Sequence, residues 1–85
     1  MIVSEALVMD DIRRVIARES RAPREVRPTD RLVDDLGLDS MSLTSLAVEL
    51  EDRYRVILND DDTTRVRTVA ELARCVVERA RAASS

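Results

Sequence analysis

An aspartate and a serine stand side by side at positions 39 and 40, closing the acidic, glycine-containing stretch DDLGLDS and opening SMSLTSLAVELEDRY, whose apolar residues recur at helical spacing. A serine hydroxyl can attack a substrate or can itself be modified. Attack needs a base. The 85 residues include no histidine, and all 14 basic residues are arginine, so neither a Ser–His pair nor a Ser–Lys pair can form. Two carboxylates across a cleft would serve glycoside hydrolysis, but nothing in the sequence fixes such a pair. The run of acids at 60–62 invites a test as a calcium loop: Asp60, Asp62, Thr64 and Glu71 occupy positions one, three, five and twelve. Position six is Arg65 where the loop needs glycine, and Glu71 is better used capping a helix, so calcium is set aside. Cys75 is the only cysteine, which excludes an internal disulfide and any CxxC site; it reads as a small apolar residue of a helix face. The residues thus predict no catalytic and no metal-binding group.

What remains is a serine that is acted upon. At a helix N-terminus its side chain points outward, and a phosphate attached to it lies beside backbone N–H groups and the positive end of the helix dipole. The neighbouring acids attract a basic modifying enzyme. Ordinary phosphorylation, or a plain Asp39/Ser40 helix start with no modification, satisfies the same residues.

The elements that hold this serine read as helices. With 45% hydrophobic residues, one tyrosine and no Phe or Trp, the core is aliphatic, and the length suits one domain over 1–85 rather than two. Ser4 caps a first helix with Val3 and Val8 as its staple; Val8, Met9, Ile12, Val15 and Ile16 form the inner face, with Asp10, Asp11, Arg13, Arg14 and Arg18 outside. Pro23 stops any continuation. Asp30 is expected to cap a short turn that pegs Val26, Leu32, Leu36 and Leu38 to the core, with Gly37 in the left-handed conformation. Asp39 caps the second helix, whose inner face is Leu43, Leu46, Ala47, Leu50 and Tyr54 and whose outer face carries Met41, Ser45, Val48 and Asp52. An aspartate starts a short third helix, and the Thr68–Glu71 capping box starts a last one on Val69, Leu72, Ala73, Val76 and Ala80, with residues 81–85 expected to fray. The expected core includes Ile12, Val15, Leu43, Leu46, Leu50, Leu72 and Val76.

Charge is unevenly spread. Residues 34–62 hold nine acids against Arg53 and Arg55, a local balance of −7, whereas seven arginines lie between 13 and 31. The acidic face argues against nucleic acid and for basic protein partners. The apolar start, MIVSEALVMDD, is too short and meets acids too early for a signal peptide, and no stretch approaches membrane-span length, so a cytoplasmic protein with no membrane association is expected.

The order of residues carries more than their types. The segment DDLGLDSMSLTSLAVELEDRYRV resembles the modification motif of acyl carrier proteins, and the similarity extends from IRRVI through LVDDLGLDS to NDDDTTRVRTVAELA. The resemblance implies an all-α bundle of three main helices plus one short third helix. It implies 4′-phosphopantetheine from coenzyme A, joined to Ser40 by a phosphopantetheinyl transferase with Mg²⁺, and a non-catalytic, monomeric carrier whose arm holds acyl groups as thioesters. Partners implied are that transferase and acyl-loading or acyl-processing enzymes such as a ketosynthase or acyltransferase. A tether raises the local concentration of its cargo at each docked enzyme. Docking is expected to be weak and electrostatic, with Met41 and Val48 as its apolar centre and Asp39, Glu49 and Asp52 as its charges.

Carriers of primary fatty-acid synthesis typically bear more acids in the first turns of the second helix, where this chain has Ser42 and Ser45; Asn59 replaces a common proline, and Ser20 stands near a usually apolar position. These departures bear on the partners and not on the serine; with basic residues that are all arginine and a net charge of only −3, a discrete carrier of polyketide or related specialised biosynthesis is expected. A fatty-acid carrier, a peptidyl carrier and an unmodified helical interaction module are the alternatives.

Overall fold

A computed structural model describes residues 3–19 and 25–84. Its elements are α1 (Glu5–Glu19), α2 (Ser40–Tyr54), α3 (Asp60–Arg65) and α4 (Val69–Ser84), three long helices and one of six residues. The described residues contain no strand, only an isolated antiparallel bridge between Arg31 and Thr68. The fold is the expected all-α bundle. Pro23 and Ser20 lie outside the described residues.

Each helix begins where its capping chemistry places it. The Ser4 hydroxyl accepts the Leu7 N–H and its carbonyl the Val8 N–H, while Val3 packs against the core beside fully buried Val8. At α4, Thr68 Oγ1 accepts the Glu71 N–H at 3.2 Å and donates to the Glu71 carboxylate. The N–H groups of Val69 and Ala70 go to the carbonyls of Asp30 and Pro28, so the long loop itself satisfies the α4 terminus. The loop is thereby part of the bundle.

The core joins Val8, Ile12, Val15 and Ile16 of α1, Leu46, Leu50 and Tyr54 of α2, and Val69, Leu72, Ala73, Val76, Val77 and Ala80 of α4. Val26, Leu32 and Leu38 from the loop and Val56 and Leu58 after α2 fill its edges. Burying each such aliphatic side chain contributes about 1.5–3 kcal/mol. Of the expected core, Leu43 is only half-buried, as is Cys75. Helix α1 packs most closely on α4 and less on α2, while α2 and α4 touch least, which leaves a gap between them.

Four expectations need correction. Asp11 is buried, not on the outer face, because it lies three residues after Val8 and four before Val15 and so falls on the apolar side. Asp30 does not cap the turn that follows it: its carboxylate accepts the Arg27 N–H, and Asp35 instead accepts the Arg31 N–H at 2.7 Å. Asn59, not an aspartate, caps α3 and exchanges hydrogen bonds with Asp62 in a capping box. The α4 helix runs to Ser84, through most of the stretch expected to fray.

Candidate modification site at the start of α2

The approach to Ser40 is a tight turn. The Asp35 and Leu36 N–H groups donate to the Arg31 carbonyl, Gly37 to Val33 and Leu38 to Leu32. Gly37 closes this turn at φ +68°, and a Cβ there would meet nothing within 4 Å, so backbone conformation rather than space calls for glycine. Leu38 then anchors in the core. Two residues on, the chain is committed to α2.

Asp39 is extended (φ −87°, ψ 179°), and its carboxylate accepts the Ser42 N–H at 2.8 Å. That hydrogen bond is the main reason its carboxyl is held below the ordinary value of 3.8. Ser40 is the first helical residue, and it is exposed. Its carbonyl accepts the Thr44 hydroxyl at 2.8 Å, while among the described residues its own hydroxyl makes no hydrogen bond. The site therefore offers an outward hydroxyl on a fixed backbone at the positive end of a 15-residue helix.

The five residues expected to meet partners separate into three kinds. Met41 and Val48 are exposed at 78% and 46%, as the helical spacing predicts. Asp39 and Asp52 are exposed, although the Asp39 carboxylate is engaged as a cap. Glu49 departs from expectation: Arg18 of α1 reaches across to pair with it, and the residue is half-buried. Ser45, placed on the outer face by periodicity, is also half-buried.

Two features went unread in the sequence. One is a cleft of about 510 Å³ in the gap between α2 and α4, walled by Leu32, Leu43, Leu46, Ala47, Val66 and Leu72 and rimmed by exposed Arg31, Asp34, Arg67 and Glu71. Leu43 brings it within one helical turn of Ser40. The other is the buried Asp11 carboxylate, which accepts a hydrogen bond from the Tyr54 hydroxyl and lies 3.4 Å from both Arg14 and Arg53. Its signal was the place of Asp11 on the apolar stripe, together with a lone tyrosine whose buried hydroxyl needs a partner.

No group of three or more His, Cys, Asp or Glu side chains among the described residues is arranged to hold a metal ion. Asp62 is spent on the α3 cap and on Arg79, at 2.7 Å, and Glu71 on the α4 cap. No helix among the described residues is long and apolar enough to cross a membrane.

The described residues thus form a four-helix bundle that presents an exposed serine behind an aspartate cap at the start of α2. The family model described as "Phosphopantetheine attachment site" matches residues 10–76, and the chain belongs to this family of acyl carrier proteins, which are carriers rather than catalysts and whose cofactor is 4′-phosphopantetheine. An acyl carrier protein of Chlamydia trachomatis is 30% identical over 71 residues, which cover 82% of this chain and 92% of that one. The meromycolate extension acyl carrier protein of Mycolicibacterium aurum is 44% identical over 50 residues, 59% of this chain but only 52% of that relative. Among solved structures, the acetyl form of the actinorhodin acyl carrier protein from Streptomyces coelicolor superposes with a TM-score of 0.69 at 30% identity, covering 88% of this chain and 92% of that one.

Proposed function

We propose that the chain is a single carrier domain whose Ser40 bears the phosphopantetheine arm, and that it serves polyketide or related specialised biosynthesis. The observation that carries the reading is the exposed Ser40 hydroxyl at the first position of α2, inside the segment matched by the attachment-site family. In the attachment step the Ser40 Oγ forms a bond to the pantetheine-bearing phosphorus of coenzyme A, the bond to the adenosine-side phosphate breaks, and 3′,5′-adenosine diphosphate leaves. The serine proton goes to a base of the transferase, since this chain has no histidine or lysine and the neighbouring Asp39 carboxylate, engaged by the Ser42 N–H and held below its ordinary pKa, is a weak base.

The residues present fit the group. Ser40 supplies the ester oxygen, and the α2 terminus with its dipole favours the phosphodiester charge. The bound arm supplies a thiol that holds an acyl group as a thioester. Leu43, Leu46 and Ala47 give an apolar wall starting one turn away, where an acyl chain could be drawn out of water. Met41 and Val48, bordered by Asp39, Glu49 and Asp52, form the face toward the transferase and toward ketosynthase- or acyltransferase-type enzymes. Because the attachment consumes coenzyme A, the reading places the protein in the cytoplasm.

The polyketide assignment draws on the likeness to the actinorhodin carrier and on the absence of any acid in the first turn of α2. A fatty-acid role is the second reading, favoured by the mycolicibacterial relative, whose name places it in meromycolate extension. The test is the intact mass of the apo-protein after incubation with coenzyme A, Mg²⁺ and a broad-specificity phosphopantetheinyl transferase. A gain of one phosphopantetheine by the wild type and none by Ser40→Ala supports the carrier reading. No gain by a folded wild type overturns it in favour of an unmodified helical module.

A further inference from the structure

We infer that the seam between α1 and α2, at the end of α2 remote from Ser40, is an oxyanion site in which Arg14 and Arg53 take a phosphate-class dianion between them. Arg14 of α1 and Arg53 of α2 each place a terminal guanidinium nitrogen 3.4 Å from the same oxygen, Asp11 Oδ1. The two nitrogens are therefore no farther apart than twice that distance. The Asp11 side chain is 6% exposed, and its other oxygen accepts the Tyr54 hydroxyl, so the carboxylate lies beneath the pair as a fixed anchor. The guanidiniums above it are open, at 73% and 55% exposure. Both contacts are longer than the about 2.7–2.9 Å of a strong charge-assisted hydrogen bond, and each fork keeps N–H donors that Asp11 does not use.

One carboxylate stands against two guanidiniums, which leaves a net positive charge over the seam. The neighbouring charges do not cancel it. One turn along, Arg18 and Glu49 neutralise each other, and Asp10, one turn before Arg14, is held by Arg13 at 3.0 Å. Asp52 is exposed and precedes Arg53, but one residue is about 100° of helix: Asp52 stands on the outward side with Val48, while Arg53 turns to α1. Arg55, exposed just after α2, adds positive charge at this end. A tetrahedral oxyanion accepting hydrogen bonds on two of its oxygens spans the gap, and two planar forks hold it with more directional contacts than two ammonium groups would. Such a ligand joins α1 to α2 from outside as Asp11 joins them from within, and so stabilises the bundle. The free ion and a phosphate ester on a small molecule present the same oxygens to the forks. Arg53 lies 13 residues after Ser40, about 20 Å along α2, so the site is separate from the helix start and from any group attached there.

The test titrates the full-length apo-protein with inorganic phosphate, at an ionic strength held constant with chloride, and follows the arginine Nε–Hε signals by NMR. The Arg14 and Arg53 signals are expected to move together and to saturate at millimolar phosphate, while that of Arg79, committed to Asp62, stays in place. Arg53→Gln and Arg14→Gln, both at exposed positions and checked for unchanged helicity, are each expected to raise Kd at least about fivefold; Arg53→Lys, which keeps the charge without the fork, raises it about two- to threefold. Adenosine 5′-monophosphate in place of phosphate distinguishes the sources: tighter binding assigns a phosphate ester, equal or weaker binding the free ion. Ser40→Ala is expected to bind phosphate as the wild type does. Signals that drift without saturating, or glutamine variants that bind as tightly as the parent, overturn the inference. So does loss of binding in Ser40→Ala, which would put the anion at the start of α2.

Discussion

Asp11 and Tyr54 show how one buried charge fastens α1 to the end of α2. The Asp11 carboxylate is 5% exposed and takes a hydrogen bond from the Tyr54 hydroxyl, which itself lies 3.4 Å from the Leu7 carbonyl. Two guanidiniums approach from the solvent side, so the charge is paired but partly dehydrated. Tyr54→Phe removes one donor and leaves the carboxylate short of a partner, a loss of about 1–3 kcal/mol measurable by urea denaturation. The same pair sets a pH dependence. Burial first, and then the adjacent Asp11 charge, push the Tyr54 hydroxyl well above its ordinary value of 10.0. The folded state thus holds this proton more tightly than the unfolded chain, so its contribution is complete below pH 10 and is lost as pH rises beyond it. Stability of the wild type is expected to fall in that alkaline window, and Tyr54→Phe to lack that component of the fall. Parallel curves for the two proteins would show that the hydroxyl does not set the dependence.

At the scale of elements, the two ends of α2 use the left-handed conformation differently. Gly37 adopts it at φ +68° before the helix, and Arg55 adopts it at φ 54° after the helix, where it closes the last turn. A side chain costs about 1 kcal/mol in this region relative to glycine. Gly37→Ala is therefore expected to lower, and Arg55→Gly to raise, the thermal midpoint by several degrees. Equal shifts of the same sign would refute the assignment of these costs to the backbone. How far the elements could be read beforehand follows from the same local chemistry. Caps and apolar periodicity are written within a few residues, so Ser4, Asp39 and Thr68 each marked a helix start, and Gly37 its turn. Asp30 and Asp35 could each have capped the short turn, and local pattern alone does not choose between them. The choice is made at a distance, because the Asp30 carbonyl is tied to the α4 N–H of Val69.

The whole molecule is governed by pairings that no local spacing records. Arg18 meets Glu49 across 31 positions and Tyr54 meets Asp11 across 43, and the cleft exists because α2 and α4 are splayed. The position of Ser40 was therefore readable from its motif, whereas the cleft beside it and the neutralised Glu49 were not. These contacts surround a small aliphatic core, in which Leu46 is 1% exposed and also walls the cleft. A chain of this size is stable by roughly 4–13 kcal/mol, and a buried Leu→Ala change costs about 2–5 kcal/mol. Leu46→Ala is thus expected to remove a large share of the total, lowering the thermal midpoint by about 10–30 °C, while Leu43→Ala, half-buried, lowers it by less. Both residues lie on α2 within two turns of Ser40, so the two variants separate global stability from the local wall of the cleft. If Ser40 is presented by the folded bundle, attachment to Leu46→Ala follows its folded fraction on warming, and attachment to Leu43→Ala stays near wild type at the same temperature. A transferase that modifies thermally unfolded Leu46→Ala as fast as the folded wild type would show that it reads the DSM tripeptide alone, without the helix that displays it.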